Sequence, residues 1–179
     1  MATRRPAEHP HVEAAALVPA PPEEVFDFLS DLGNHWRLTD RFVRVVELIG
    51  PPDGPADGGT VRLRGPFGLH RTVRTHVSAA RRPRLMIGIA EIGSSTRARV
   101  SWTLGGRLGQ TRVLLSAEVE HASPGDRLLL ALGGRIWLER LFERTLARLA
   151  QRFAAEPSAS VDAPVRGGLD DDPAGPSLE

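Results

Sequence analysis

The sequence predicts an α+β domain in which an antiparallel sheet of seven strands is covered by one long C-terminal helix, with two short helices after the first strand. Strand-like segments separated by turn residues recur between residues 42 and 121. The last two alternate apolar and polar side chains, and residues 123–153 switch to a helical apolar period. Alternation of this kind implies a sheet with one wet face and one covered face, and the long helix is the obvious cover.

Residues 1–10 are polar and are expected to form a flexible N-terminus. A first strand over 12–18 is ended by Pro19, Pro21 and Pro22. Residues 22–32 then read as a short helix, with Pro22 in its first turn and Glu23 and Glu24 at its positive end. Val25, Leu29 and Leu32 fall on one face. Gly33 is expected to stop it, and 34–38 to add a second short turn of helix.

Strands follow at 42–49, 60–64, 70–79, 84–90, 96–104 and 110–121, with 51–59 and Gly65-Pro66 as loop and turn. In 96–104, Ala98, Val100, Trp102 and Leu104 oppose Arg97, Arg99, Ser101 and Thr103. In the last strand Val113, Leu115, Ala117 and Val119 oppose Arg112, Ser116, Glu118 and Glu120.

Ser123 can cap the final helix, Pro124 suits its first position, and Asp126 completes a capping-box spacing. At roughly 100° per residue, Leu128, Ala131, Leu138, Phe142, Leu146, Leu149 and Phe153 share one arc. Arg140, Arg144, Arg148 and Arg152 form a separate i, i+4 row. Arg135 and Glu139 project into or beside the apolar arc, four residues apart and able to pair. Beyond it, 155–179 is rich in Pro, Gly, Ser and acids, including Asp170, Asp171 and Asp172, and is expected to be a disordered acidic tail. One domain is therefore expected over 11–154.

The absence of cysteine excludes disulfides, thiolate nucleophiles and cysteine metal sites; the absence of tyrosine excludes phenolic acid/base chemistry. All 23 basic residues are Arg, which looks like coding bias in a GC-rich genome. The first 153 residues hold 22 Arg against 16 acids. These Arg are scattered and lack aromatic interleaving, so no specific nucleic-acid partner is expected. The longest apolar run, 128–132, falls far short of the roughly 20 residues a membrane span needs, and the N-terminus lacks the apolar region of a signal peptide. A cytoplasmic protein without a transmembrane segment is expected.

None of the six histidines shows metal-ligand spacing, and His70 and His76 share strand parity with Thr72 and Arg74, on the solvent side. The glycine-rich pieces lack the phosphate-binding and dinucleotide patterns. Neither metal nor cofactor is expected, and no catalytic residue is assigned.

The order of strand, two short helices, six strands and long helix joins three local features. These are Ala20-Pro21-Pro22-Glu23-Glu24-Val25-Phe26-Asp27-Phe28-Leu29, the strand Arg99-Val100-Ser101-Trp102-Thr103-Leu104, and the closing helix 128–153. Together they resemble the START-like or Bet v 1-like superfamily (SRPBCC), and within it the bacterial polyketide cyclase/dehydrase and lipid-transport group, over residues 11–153. The resemblance implies a helix-grip fold, with the sheet curved around the long helix and a deep apolar cavity between them. It further implies a hydrophobic small-molecule ligand, lipid, polyketide or isoprenoid-like, held by a carrier or sensor.

The expected cavity wall takes in Trp36, Leu63, Val73, Val100, Trp102, Leu115 and Leu132, and no histidine. Its polar candidates are Arg135 and Glu139, with Glu47 and Thr75 behind them. Two readings of the Arg135/Glu139 pair stay open: it lines the cavity, or Gly133-Gly134 re-phases the helix and both reach solvent. In the first case the alternative function is a cyclase or dehydratase in which the pair supplies electrostatic stabilisation and acid/base chemistry. A third possibility is an interaction surface built on Trp137 and the Arg row. A monomer or weak homodimer is expected.

Overall fold

The computed structural model describes residues 10–39, 42–65, 68–107 and 109–155; nearly all of the expected flexible N-terminus and acidic tail lies outside the described residues. The elements run β1 His11–Val18, α1 Pro22–Ser30, α2 Leu32–Leu38, β2 Val43–Ile49, β3 Gly58–Arg64, β4 His70–Arg81, β5 Leu85–Ile92, β6 Thr96–Arg107 and β7 Gln110–His121. The C-terminal segment consists of α3 Pro124–Leu129, a π turn Leu130–Gly134 and α4 Arg135–Ala155. The seven strands form one open sheet in the order β1-β7-β6-β5-β4-β3-β2, antiparallel at every step. This is the α+β helix-grip architecture.

The break between α1 and α2 falls at Asp31 rather than at Gly33. The Asp31 carboxylate accepts from the Gly33 amide at 2.9 Å, so it caps α2 and lets that helix begin at Leu32. The same oxygen accepts weakly from Ala56 N at 3.4 Å, and Leu32 N donates to Ala56 O at 2.8 Å. These bonds fasten the helix pair to the β2–β3 loop.

Register shifts at Val45/Glu47, Val77/Ala79 and Arg97/Ala98 interrupt the ladders. Such bulges bend a strand and increase its twist, which curves the sheet toward the helices. On the concave face Val18, Leu104 and Val113 pack with Val25, Phe26 and Leu29 of α1 and with Phe142, Leu146 and Leu149 of α4. Leu29, Leu146 and Leu149 are fully buried, each stabilising the fold by about 1.5–3 kcal/mol. Because α4 packs chiefly on β1, it fills one end of the concave face and leaves the β3–β6 end for a cavity.

The one long helix expected over 123–153 is interrupted at the Gly133-Gly134 pair. Gly133 has φ +109° and Leu132 leaves helical geometry at φ −84°, ψ 23°. A Cβ on Gly134 would lie 2.7 Å from Leu129 O, a close backbone approach that only glycine allows. The turn re-phases everything before it, so the arc holds for Phe142, Leu146 and Leu149 but fails at Leu128, which is 59% exposed. The helix start matches its sequence signals: Ser123 Oγ accepts from Asp126 N at 3.1 Å. Asp126 also accepts from Arg71 Nη2 at 2.9 Å and Thr96 Oγ1 at 2.5 Å, tying α3 to β4 and β6.

Candidate functional site: an apolar cavity under the long helix

Between the concave sheet, α2 and the first turns of α4 lies a cavity of about 200 Å³. Its floor is made by Val61, Val73, Met86, Val100, Trp102 and Leu115, one or two inward positions from each of β3 to β7. Its sides are Trp36 and His35 of α2 and Leu138, Leu141 and Phe142 of α4. A second, mainly apolar compartment of about 160 Å³ continues toward α3, lined by Leu69, Val119, Leu129, Leu130 and Trp137, with Thr96 and the paired Arg71 and Asp126 also on its wall. Leu63, Ile92, Ala98, Ala117 and Leu138 border both compartments. Strand alternation builds this surface: every second residue of β6, from Ala98 to Trp102, points into it.

Few polar side chains reach the wall of the first compartment, and those of His35, Thr39 and Thr145 are engaged. Thr39 Oγ1 donates to Trp36 O and Thr145 Oγ1 to Leu141 O. His35 is buried at 8% exposure and its ring lies 5.2 Å from that of Trp102. Its Nε2 lies 2.5 Å from Leu29 O. A carbonyl only accepts, so Nε2 carries the proton, and in the neutral ring Nδ1 is a lone-pair acceptor. Burial pushes this imidazole down from 6.5 to about 4, against the smaller opposing pulls of the Leu29 carbonyl and Asp31. The ring is therefore neutral at pH 7. Among the described residues, Trp36 Nε1 is a buried side-chain donor without a hydrogen-bond partner.

Six of the nine expected site residues, Trp36, Leu63, Val73, Val100, Trp102 and Leu115, lie on this wall. Leu132, Arg135 and Glu139 do not. Leu132 is 60% exposed within the π turn. Arg135 Nε donates to Glu139 Oε1 at 3.0 Å on the outer side of α4, with side-chain exposures of 64% and 35%. Of the two readings of that pair, the structure has the solvent-facing one, and the Gly133 turn is its cause. Glu47 is likewise exposed, whereas Thr75 lines the cavity.

His35 corrects the expectation that no histidine faces the cavity. Its i, i+3 spacing from Leu32 and Leu38, both buried, was the signal that could have revealed it. His76 borders the cavity too, though its side chain is exposed, beside the Val77/Ala79 irregularity of β4. Among the described residues, no group of three or more His, Asp or Glu side chains comes together as a metal site would require.

A wide mouth opens beside both compartments, bordered by Phe42, Arg64, Ile136, Trp137, Leu141, Arg140 and Arg144. Leu141 also borders the first compartment and Trp137 the second. The Arg144 guanidinium lies over the Phe42 ring, 6.0 Å from its centroid. The Arg row thus divides: Arg148 Nη1 donates to Leu38 O at 3.3 Å and Arg152 lies over Phe28, bracing the short helices, while Arg140 and Arg144 face the mouth.

The family of polyketide cyclase / dehydrase and lipid transport proteins matches residues 9–154, and the chain belongs to it. Several solved structures share the fold. A protein of Thermus thermophilus is 21% identical, with 84% of this chain and 100% of that one covered, at a TM-score of 0.62. A START superfamily protein from Mycobacterium smegmatis is 14% identical over 81% and 97% of the two chains, at 0.58. A protein of the dynemicin biosynthetic locus is 18% identical at 0.53; 83% of this chain is covered, but only 48% of that one. A comparison with curated proteins finds no match. No helix among the described residues is long and apolar enough to cross a membrane.

Proposed function

We propose that the protein binds a hydrophobic small molecule, lipid, polyketide or isoprenoid-like, in the cavity under α4, and acts in the cytoplasm as a carrier or sensor of it. The observation that carries this reading is the cavity wall itself: two adjoining apolar compartments share Leu63, Ile92, Ala98, Ala117 and Leu138, so one elongated ligand can occupy both. The partnerless indole N–H of Trp36 suits a ligand that carries an oxygen acceptor, since an unmet buried donor costs about 1–3 kcal/mol. Catalysis by Arg135 and Glu139 lacks this support, because the pair sits outside the cavity. His35 is a weak base near pH 7, because its imidazole is held down to about 4.

The test is native mass spectrometry of gently purified protein, with fluorescence titration of the neutral apolar reporter N-phenylnaphthylamine. Retained ligand or micromolar reporter binding, lost in the cavity-filling variant Val100→Phe, is the expected result. A protein that is reproducibly empty and leaves the reporter dark would overturn the reading.

A further inference from the structure

We infer that the ligand is an amphiphile with an anionic head, its apolar body in the two compartments and its head held at the mouth by Arg64, Arg140 and Arg144. This deepens the cavity-binding reading and rests on it.

The three guanidiniums come from separate places, Arg64 from the end of β3 and Arg140 and Arg144 from successive turns of α4, yet they border one opening. No Asp or Glu among the described residues borders that opening, and none of the three makes an ion pair with a described residue. Elsewhere on this surface guanidiniums do find carboxylates: Arg71 pairs with Asp126, Arg82 with Asp27, and Arg97 and Arg99 with Glu120. Like charges gathered without a counterion repel one another, and an anion placed among them relieves the repulsion.

The mouth also touches both apolar compartments, through Leu141 on one side and Trp137 on the other. An alkyl chain filling the cavity therefore presents its terminus to the guanidiniums. Carboxylate and phosphate oxygens both match the planar fork of Arg, which can grip either bidentately. An uncharged alcohol of the same length gains the apolar contacts but not these bonds.

The experiment is displacement of N-phenylnaphthylamine from the full chain by dodecanoate, dodecyl phosphate and dodecanol. At low salt one or both anions should displace the reporter at about one-tenth the concentration that dodecanol needs, and whichever gains more identifies the head as carboxylate or phosphate. The advantage should shrink in high sodium chloride while dodecanol is unaffected. In the double variant Arg64→Gln/Arg140→Gln, which keeps Arg144, the advantage of the anions over dodecanol measured in the same variant should fall several-fold. Anions no better than dodecanol in wild type, or an advantage undiminished by both substitutions, overturn the head-group assignment and leave the cavity reading standing. If the reporter and dodecanol both fail to bind, the cavity reading itself falls and takes this inference with it.

Discussion

His35 Nε2 meets the Leu29 carbonyl at 2.5 Å, so the imidazole that lies tilted beside Trp102 at the cavity is bolted to the end of α1 as a neutral donor. Its protonation is opposed mainly by burial, which moves it from 6.5 to about 4. In the unfolded chain the ring takes up a proton below about 6.5; in the folded protein it does not until about 4. The unfolded state therefore binds more protons within that window, and stability falls as pH drops through it. The full contribution is present above about 6.5, and the loss by about pH 4 is roughly 3 kcal/mol. Urea denaturation across this range should show that slope, and His35→Phe should flatten it. A variant with the wild-type slope would show that other groups carry the acid sensitivity.

Arg135→Ala is expected to leave reporter binding unchanged and to shift stability by no more than about 0.5 kcal/mol, as befits an exposed i, i+4 pair. Fluorescence titration and thermal melting check this together. A large loss of binding would mean that the pair reaches the ligand by some rearrangement of the helix start.

What the sequence made legible and what it hid can be traced to single residues. Alternation placed Val100 and Trp102 on the inner face because strand geometry has a period of two and little else to vary. The helical period placed Phe142, Leu146 and Leu149 for a similar reason. It failed at Leu128 because the π turn changes the residue count per turn and Gly133 reverses the sign of φ, neither of which a fixed projection contains. His35 was hidden differently: its spacing was helical, but a titratable ring between Leu32 and Leu38 reads as an interruption of an apolar face until the Leu29 carbonyl is seen to satisfy it. The Arg144–Phe42 contact joins residues far apart in sequence, beyond any local pattern.

Gly133→Ala tests the turn. A Cβ there meets nothing within 4 Å, so the cost is conformational, arising from φ +109°. Chemical denaturation should show a loss of about 1–2 kcal/mol, with Gly133→Asn milder because asparagine tolerates positive φ better. An alanine variant of unchanged stability would indicate that the helix can straighten at no cost, which would also carry Leu128 and Leu132 to new positions.

Leu146 and Val100 separate core from cavity. Leu146 is fully buried among the residues that join α4 to the sheet, so Leu146→Ala removes packing from a closed site and should cost about 2–5 kcal/mol. Val100 already borders space, so Val100→Ala forfeits mainly its transfer free energy, and a loss of about 1 kcal/mol is expected. Enlarging that wall should also alter reporter affinity, whereas the Leu146 variant, when folded, should retain it. Equal destabilisation by the two substitutions would mean that the wall at Val100 is packed as tightly as the core, leaving too little room for the proposed ligand.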